Sequence, residues 1–438
     1  MTAPATTGLA YIVLPLQKSE RLSNRNAETR LEEAKGLAKA INLEIIAAEI
    51  VNLPRITPST YLGKGVVERL KAIIGQQKIE LCFIDTALSP GQQRNLEVEL
   101  KCKVIDRTGL ILEIFGARAQ THEGRLQVEL AALNYQKSRL VRAWTHLERQ
   151  RGGFGFMGGP GERQLEMDRR MLETRIKRIS AELADVKRTR GVQRQGRNRL
   201  GLPLVALVGY TNAGKSTLFN RLTSANVMAE DLLFATLDTT HRQVTLPSGF
   251  QFILSDTVGF IADLPTHLVA AFRATLEETT QADLILHVRD IASEDTEAQK
   301  QAVETTLADL GIDAAMQHQK ILEVWNKADL LAGGENWEHL AVGQGSLSGH
   351  VAISALAGQG MERLIAEIEK RLKPNAISFT LALPATEGKA LAWLHQAGAI
   401  LRKDLQIEEG LILLQLQLNP SQNKAFFKEF PHLKQPKN

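Results

Sequence analysis

The segment from Leu204 to Leu218 limits the possible folds of this 438-residue chain more than any other part. An apolar run at 204–208 is typical of a buried strand, and it leads into Gly209-x4-Gly214-Lys215-Ser216 before apolar residues recur at helical spacing. A strand, a glycine turn and a helix N-terminus form a phosphate-binding loop, whose backbone amides surround a β-phosphate. The predicted nucleotide-binding residues here are Gly209, Tyr210, Thr211, Asn212, Ala213, Gly214, Lys215, Ser216 and Thr217.

A second segment adds a metal ion to this prediction. In the loop, we expect Lys215 to reach the β- and γ-phosphates and the Ser216 hydroxyl to ligate Mg²⁺. An apolar strand from Phe252 ends in Asp256-Thr257-Val258-Gly259. Asp256 would hold the metal, and the Gly259 amide would contact the γ-phosphate. Taken alone, the first motif could also be a chance glycine turn before a helix.

Two further strand ends indicate which base is bound. One strand ends in Asn326-Lys327-Ala328-Asp329, and a carboxylate at Asp329 can accept two N–H donors of guanine that adenine does not offer. Each such bond lost in a buried site costs about 1–3 kcal/mol, so this residue gives strong selectivity. Another strand leads into Ser354-Ala355-Leu356, where a backbone amide would meet the guanine O6. Because the four motifs follow in order at strand ends, the sequence predicts a domain that binds GTP or GDP with Mg²⁺.

The segment Phe234-Ala235-Thr236-Leu237-Asp238 lies between the first two motifs. A mobile segment here needs one hydroxyl that closes onto Mg²⁺ and the γ-phosphate, and we assign Thr236 to this role. Thr239 and Thr240 are close rivals, and a solvated loop threonine is the alternative interpretation. The predicted catalytic set is Lys215, Thr236 and Gly259, and the added nucleotide contacts are Phe234 and Ala235.

Two residues bear on how hydrolysis is stimulated. Phe260 follows Gly259 at the position where Ras-like switches carry a water-orienting glutamine, and a phenyl ring cannot polarise water. Asn212 matches the loop asparagine with which some GTPases hold a K⁺ ion near the phosphates. A turn residue that satisfies its own backbone is the alternative interpretation of Asn212. We expect slow intrinsic hydrolysis that is faster in K⁺ than in Na⁺.

The composition is typical of a soluble protein, and we expect a cytoplasmic location. A hydrophobic content of 44% is ordinary, and no apolar run approaches the ~18 residues of a membrane span. The N-terminus lacks the pattern of a secretory signal. Cys82 and Cys102 do not have a metal-binding spacing, so we expect buried free thiols. We also expect a monomer without stable membrane association.

The net charge of +4 is unevenly distributed along the chain. Residues 137–199 hold 17 Lys and Arg against 7 Asp and Glu, a local excess of +10 that leaves −6 for the remainder. Such asymmetry indicates a polyanionic partner, and RNA is the obvious candidate, with no DNA partner expected. A solvated charged helix is the alternative interpretation.

Two helical patterns in the basic region flank a glycine-rich loop. Apolar residues recur at steps of three, four or seven from Leu126 to Leu147 and at steps of three and four from Leu172 to Val186, which predicts two antiparallel helices. The loop Arg151–Glu162 joins them and holds six glycines and one proline. Exposed aromatic rings flanked by arginines suit RNA bases and phosphates, although simple loop disorder is the alternative. The predicted RNA-binding residues are Arg151, Phe154, Phe156, Arg163, Arg169 and Arg170.

The remaining pattern predicts an α/β protein. Before residue 110, apolar strands alternate with helical stretches, which is typical of a parallel sheet. Near the C-terminus we expect a strand at 377–382, a helix at 388–401 and a strand at 411–418. The expected units are an N-terminal α/β domain (1–110), a helical hairpin with its glycine-rich loop and a basic linker at 192–203 (111–200), a P-loop GTP-binding domain with a parallel sheet and helices on both faces (201–374), and a small α+β domain (375–438).

Several of these segments together resemble the HflX GTPases. The resemblance spans about residues 10 to 373 and rests on Leu88–Glu97, Gly158–Glu162, Gln164–Glu166, Asp168–Arg170, Gly209–Ser216 and Phe234–Asp238. It implies a GTPase that binds the large (50S) ribosomal subunit and its rRNA and splits stalled ribosomes under stress, with the glycine-rich loop directed toward the peptidyl-transferase centre. Two alternatives stay open: a GTP-gated RNA scaffold or chaperone, and a GTPase partner of a tRNA-modifying enzyme.

Overall fold

The described part of the chain contains three β-sheets with flanking helices and a pair of long helices. The computed structural model describes residues 8–17, 25–150, 160–198, 202–223, 233–234, 237, 239–262, 279–331, 349–372, 377–397, 399–406, 411–418 and 420–433. The α/β class predicted from the sequence is confirmed, since two of the sheets are largely parallel and flanked by helices. No helix among these residues combines the length and the hydrophobicity that crossing a membrane requires.

The first sheet is parallel and has the strand order β2-β1-β3-β4. Its strands are β1 Leu9–Gln17, β2 Glu44–Leu53, β3 Leu81–Ile84 and β4 Lys103–Asp106. Its helices are α1 Ala27–Lys39, α2 Lys64–Gln77, α3 Pro90–Leu100 and α4 Arg107–Arg118. Ile12 and Val13, successive in β1, are buried in two different apolar clusters, because alternate strand residues point to opposite faces. Helices therefore cover both faces of this sheet.

The long helices α5 (His122–Gln150) and α6 (Pro160–Asn198) form the predicted hairpin. They pack antiparallel, with Leu126 of α5 buried against Ile179 and Leu183 of α6. The predicted coiled-coil seam is therefore present where the two helices are in contact.

The predicted ends of α6 are wrong in two places. The glycine-rich loop was expected to extend to Glu162, but the helix already begins at Pro160, since proline is favourable in the first helical turn. A linker was expected from Val192, but the helix continues to Asn198, because the Gln and Arg residues there are good helix formers. The rest of the loop, residues 151–159, lies outside the described residues.

Asp106 anchors the hairpin to the first sheet. It is buried at the end of β4, and its Oδ1 accepts a 2.8 Å hydrogen bond from the Gly109 amide, which caps α4. The same oxygen accepts a 2.7 Å bond from the Tyr135 hydroxyl of α5, and Arg139 Nη1 lies 3.5 Å from Oδ2. The residue that holds the hairpin is therefore adjacent in sequence to Arg107, the first residue of α4.

The second sheet has the order β10-β9-β8-β5-β7-β6, and only β6 runs antiparallel. Its strands are β5 Leu204–Gly209, β6 Thr240–Thr245, β7 Gln251–Asp256, β8 Leu284–Asp290, β9 Ile321–Asn326 and β10 His350–Ala352. Its helices are α7 Lys215–Thr223, α8 Thr296–Asp309, α9 Ala314–Lys320 and α10 Met361–Leu372, with a 3₁₀ turn at Ala328–Leu330. Because β5 lies between β7 and β8, the loop after it opens at the middle of the sheet edge where parallel strands end.

The third sheet is antiparallel and has the order β11-β13-β12. Its elements are β11 Ile377–Pro384, α11 Gly388–Gln396, β12 Ile400–Gln406, β13 Leu411–Leu418 and α12 Pro420–Glu429. The predicted helix at 388–401 is wrong at its C-terminal end, since it stops at Gln396 and the chain forms β12. This strand was missed because its charged residues lack apolar alternation, as is common for an edge strand.

One apolar cluster joins the first two sheets. It contains Ile12 and Phe115 from the N-terminal part together with Ala206 and Val258 from the second sheet and the segment after it. The Phe115 and Phe234 rings meet edge to face with centroids 4.7 Å apart. The two sheets are therefore joined by a common interior.

Replacing Ile179 by alanine should destabilise the hairpin selectively. Ile179 is 1% exposed, and truncating a buried isoleucine costs about 2–5 kcal/mol. Met171 lies on the same helix and is 64% exposed, so Met171→Ala should change local stability by no more than about 0.5 kcal/mol. Native-state hydrogen exchange of the α5 and α6 amides would measure both effects. Equal losses in the two variants would contradict the packing described here.

Candidate functional site

Two glycines allow the loop after β5 to turn tightly between neighbouring strands. Gly209 has φ +153° and Gly214 has φ +90°. A Cβ at Gly209 would lie 2.2 Å from the Val288 carbonyl oxygen, and one at Gly214 would lie 2.2 Å from Asn326 Nδ2. A side chain at either position would collide with the next strand or its end, so the loop requires glycine here.

The lysine of the loop is buried inside the turn. Lys215 is 6% exposed, and its Nζ donates to the carbonyl oxygens of Gly209 at 3.1 Å and Tyr210 at 2.7 Å. Burial lowers the pKa of Lys215 to about 8, although the negative charge of Asp256 opposes the shift. The ammonium is thus poorly compensated by the protein alone, and a phosphate group would stabilise its charged form.

The two predicted metal ligands lie together. Ser216 Oγ donates to Asp256 Oδ2 at 3.0 Å, and Asp256 is fully buried at the end of β7. A hydroxyl and a carboxylate are the hard oxygen donors that Mg²⁺ prefers, with water and phosphate oxygens supplying the remaining ligands. Within the described ranges no group of three or more His, Cys, Asp or Glu could hold a metal. Because Ser216 and Asp256 supply two oxygen donors, the pair fits a Mg²⁺ ion whose remaining ligands come from nucleotide phosphates and water.

The segment after β7 lies directly against the phosphate loop. Phe260 donates its amide to the Gly209 carbonyl at 3.1 Å, and its own carbonyl accepts from the Thr211 amide at 2.7 Å. A Cβ on Gly259 would lie 3.1 Å from Lys215 Nζ. Thr257 is buried and donates its hydroxyl to the Leu207 carbonyl at 2.5 Å, and Val258 is buried in the cluster shared by the two sheets. Gly259 is thus held next to Lys215, the lysine predicted to contact the γ-phosphate.

Asn326 ties the phosphate loop to the predicted guanine end of the site. Its Nδ2 donates to the Ala213 carbonyl at 2.8 Å, and its Oδ1 accepts from the Ala355 amide at 2.9 Å. The neighbouring Lys327 adopts φ +61° and its Nζ lies 2.8 Å from Asp290 Oδ2. One buried amide side chain therefore fixes the spacing between the phosphate and base ends.

The remaining guanine-site residues border an open side of this end. Asp329 is half-buried in the 3₁₀ turn, and Leu356 is 78% exposed. Ser354 is buried and its Oγ accepts from the Ala357 amide at 3.1 Å. Arg221, at the end of α7, donates to the Ala355 carbonyl at 3.2 Å and to the Leu356 carbonyl. The sequence analysis missed this arginine, since no local motif contains it.

Other predicted residues divide between described and undescribed parts. Phe234 is buried with φ +57°, while Ala235, Thr236 and Asp238 lie outside the described residues. The assignment of Thr236 therefore stays a prediction.

The predicted RNA contacts divide in the same way. Arg151, Phe154 and Phe156 lie outside the described residues, and of Arg163 only its place in α6 is described. Arg169 and Arg170 are exposed and pair with Glu173 at 3.3 Å and Glu166 at 3.1 Å. Such exposed pairs contribute about 0–1 kcal/mol and exchange readily for another anion.

A group of charged residues from the N-terminal part also reaches the site and was missed. Arg25 and Glu33 contact the Tyr210 hydroxyl, and Arg107 contacts the segment after Gly259. Glu33 and Tyr210 are 177 positions apart. No spacing in the sequence could have paired them.

The combined geometry defines the class of protein. A glycine loop with a buried lysine, a Ser–Asp pair suited to Mg²⁺, and an Asn-Lys-x-Asp turn tied to the loop lie along one sheet edge. This is the site of a P-loop GTPase. A family model described as 50S ribosome-binding GTPase matches residues 204–327.

Further matches identify the family. Models described as GTP-binding GTPase N-terminal and GTP-binding GTPase middle region match residues 28–116 and 118–197. GTPase HflX of Magnetococcus marinus is 48% identical over 397 residues, which is 90% of this chain and 89% of that protein. GTPase HflX of Escherichia coli K12 is 44% identical over 390 residues, 89% of each. The chain belongs to the HflX family of GTPases and is a GTP hydrolase.

The family extends further than the sequence motifs indicated. A model described as HflX C-terminal domain matches residues 342–438. The expectation that the resemblance ends near residue 373 is therefore wrong. It arose because the C-terminal sheet carries no chemical motif.

Solved structures also match the chain. A GTP-binding protein from Sulfolobus solfataricus in complex with GDP is 23% identical, with a TM-score of 0.44, and covers 83% of this chain and 98% of its own. A GDP complex of SsGBP is 25% identical, with a TM-score of 0.46 and the same coverage.

Raising the pH above 8 should weaken GDP binding. The pKa of Lys215 is about 8 in the free protein, and nucleotide phosphates favour its charged form. Above this pKa, binding must take up a proton, so affinity should fall by up to about tenfold per pH unit. Fluorescence titration with GDP between pH 7.5 and 9.5 would measure this fall in affinity.

Lys215→Arg provides the control for this experiment. The arginine guanidinium of this variant stays charged across the pH range. Any effect that titration of the nucleotide has on binding is the same for the variant and the native protein. The variant should therefore show a much smaller pH dependence. Equal slopes for the two proteins would contradict the role given to Lys215.

Proposed function

We propose that this GTPase binds the large (50S) ribosomal subunit in its GTP form and splits stalled ribosomes under stress. GTP and Mg²⁺ would hold Thr236 and Gly259 closed, and this closed form would grip rRNA through the α5–α6 hairpin. Hydrolysis would then release Gly259 and weaken the grip. Phe260 supplies no group that polarises water, so the ribosome would stimulate turnover by ordering the segments around it.

The observation that carries this proposal is the basic hairpin, which is anchored through Asp106 to the sheet that shares an apolar interior with the GTP-binding sheet. At ~1.5 Å per residue, α5 alone extends about 43 Å, which carries its far end well away from the first sheet. The segment 137–199 has an excess of ten positive charges. Three of its acidic residues, Glu166, Glu173 and Glu182, are already paired with arginines or lysine of the hairpin. Arg139 and Arg175 also pair with Asp106 and Glu129 outside the segment, so the net excess of the hairpin is smaller than ten but still positive. A positive excess of this kind attracts phosphates.

The family supports the ribosome as the partner. HflX proteins are a ribosome-associated GTPase family, and the matching family model carries 50S binding in its description. A GTP-gated RNA scaffold would share the hairpin and its charge. It would differ in binding many structured RNAs with equal strength and in showing no preference between subunits.

Co-sedimentation should show nucleotide-dependent binding to 50S particles. We expect pelleting with 50S in the presence of a non-hydrolysable GTP analogue, weaker pelleting with GDP, and little with 30S. Replacing residues 152–159 by four glycines keeps both helix ends and should abolish it. Binding that ignores nucleotide and subunit would favour the scaffold, and no pelleting would overturn the proposal.

A charge variant refines this experiment. Arg169→Gln with Arg170→Gln should reduce 50S affinity and lower the salt dependence by about two phosphate contacts. Arg178→Gln is the matched control, since Arg178 is an exposed α6 arginine paired with Glu182 at 2.9 Å but lies nearer the hairpin base. Equal effects would remove the assignment of Arg169 and Arg170.

Intrinsic GTP hydrolysis should be faster in K⁺ than in Na⁺. Asn212 is exposed with φ +59°, so its side chain stands at the rim of the loop where K⁺ could add positive charge beside the phosphates. Single-turnover hydrolysis in the two chloride salts at equal ionic strength would test this. Asn212→Ala should remove the difference. Equal native rates would leave Asn212 as a turn residue, since asparagine favours such a backbone on its own.

A further inference from the structure

The side chain of Tyr210 points away from the nucleotide. Tyr210 is the second residue of the phosphate loop, yet it is only 5% exposed and its ring lies in the apolar cluster shared by the two sheets. Its hydroxyl contacts Glu33 of α1 and Arg25, and it accepts a 3.0 Å hydrogen bond from the Ala262 amide. The backbone of Tyr210 therefore belongs to the phosphate loop, while its side chain contacts the N-terminal part and the segment after Gly259.

The direction of these hydrogen bonds follows from the charges. Burial alone would raise the pKa of Glu33, but Arg107 and Arg25 hold that pKa below its usual value, so the carboxylate is charged. Burial and the charge of Glu33 raise the pKa of Tyr210, so the phenol keeps its proton. Tyr210 thus donates to Glu33 and accepts from Ala262. A hydroxyl polarised by a buried carboxylate is a strengthened acceptor.

Arg107 binds the other polar group of Ala262. Its Nη2 donates to the Ala262 carbonyl at 3.0 Å and to Glu33 Oε1 at 2.5 Å, and its Nη1 donates to Asp85 Oδ1 at 2.7 Å. Both the N–H and the C=O of Ala262 are therefore bound to side chains that meet at one carboxylate, Glu33.

This attachment lies three residues beyond Gly259. Phe260, between them, is paired with the backbone of the phosphate loop, so the segment is fixed at two successive points. The result places Gly259 beside Lys215, with a Cβ position 3.1 Å from Nζ. The segment therefore already lies beside the lysine that is expected to contact the terminal phosphates of GTP.

We propose that the Tyr210 hydroxyl is a positioning group for GTP: with Glu33 and Arg107 it holds Ala262, and hence Gly259, at the γ-phosphate position. The N-terminal part of the chain would thereby favour binding of GTP relative to GDP. The bonds require no ribosome, so this inference stands or falls independently of the ribosomal partner. The Tyr210 side chain acts through Gly259 and does not itself touch the nucleotide, whereas the Tyr210 backbone belongs to the phosphate loop.

Tyr210→Phe is the direct test, because it removes one oxygen and keeps the buried ring. Losing one hydrogen bond that positions Gly259 should weaken binding of a non-hydrolysable GTP analogue by about 2- to 12-fold, while GDP affinity stays the same. Isothermal titration with each nucleotide would give the ratio.

Tyr11→Phe is the matched control. Tyr11 is also buried and also bonds a glutamate, with 3.1 Å between its hydroxyl and Glu49 Oε1. It lies on β1 in the other apolar cluster, on the opposite face of the first sheet from the cluster that holds Tyr210. This variant should leave both affinities unchanged. An equal loss in both variants would show that any buried phenol has this effect and would overturn the proposal, as would tighter analogue binding in Tyr210→Phe.

Hydrogen exchange gives a readout that does not depend on nucleotide binding. In the nucleotide-free native protein the Ala262 amide should be protected, and in Tyr210→Phe it should exchange at least about tenfold faster, with the α5 amides unaffected. Fast exchange in the native protein would overturn the proposal whatever the variant does. Glu33→Gln, which keeps an acceptor but removes the charge, should give an intermediate rate.

Discussion

The buried guanidinium of Arg107 is the interaction on which the arrangement of this molecule depends. A charge removed from water is tolerated only when paired and hydrogen-bonded, and its acceptors here come from three separate segments: Asp85, Glu33 and the Ala262 carbonyl. Burying Arg107 therefore requires α1, the end of β3 and the segment after Gly259 to converge. The apolar cluster around them adds stability, but the buried charge of Arg107 specifies which groups must meet.

That the predicted nucleotide-site residues would lie together could be foreseen from the sequence, because the parts of each motif are local. Gly209, Gly214 and Lys215 work within one turn, and each later motif follows directly from a strand. The carboxyl ends of parallel strands lie at one edge of the sheet. Ser216 and Asp256 are therefore 3.0 Å apart although 40 positions separate them in the sequence. The alternation of strands and helices in the N-terminal part could be predicted as well, because both faces of its sheet are apolar.

What could not be predicted depends on non-local partners or on weak local preference. In the sequence, Glu33 and Arg107 look like ordinary helix residues. Their contacts with Tyr210 and Ala262 could not be predicted because these partners lie far away in the chain. The strand β12 exists because β13 offers it a free edge, and its own residues do not call for one. The helical continuation to Asn198 reflects moderate propensities that a basic, polar stretch also shows in a linker.

The adjacency of Asp106 and Arg107 has a mechanical consequence. One holds the middle of the 29-residue helix α5 through Tyr135, and the next holds Ala262. The first turn of α4 is therefore a fulcrum with a long arm on one side and a short one on the other. If the hairpin tilts about this turn, a movement of several ångströms at its far end would become a much smaller movement at Ala262. A small displacement of this kind at Ala262 would reach Gly259, which lies three residues earlier in the same segment.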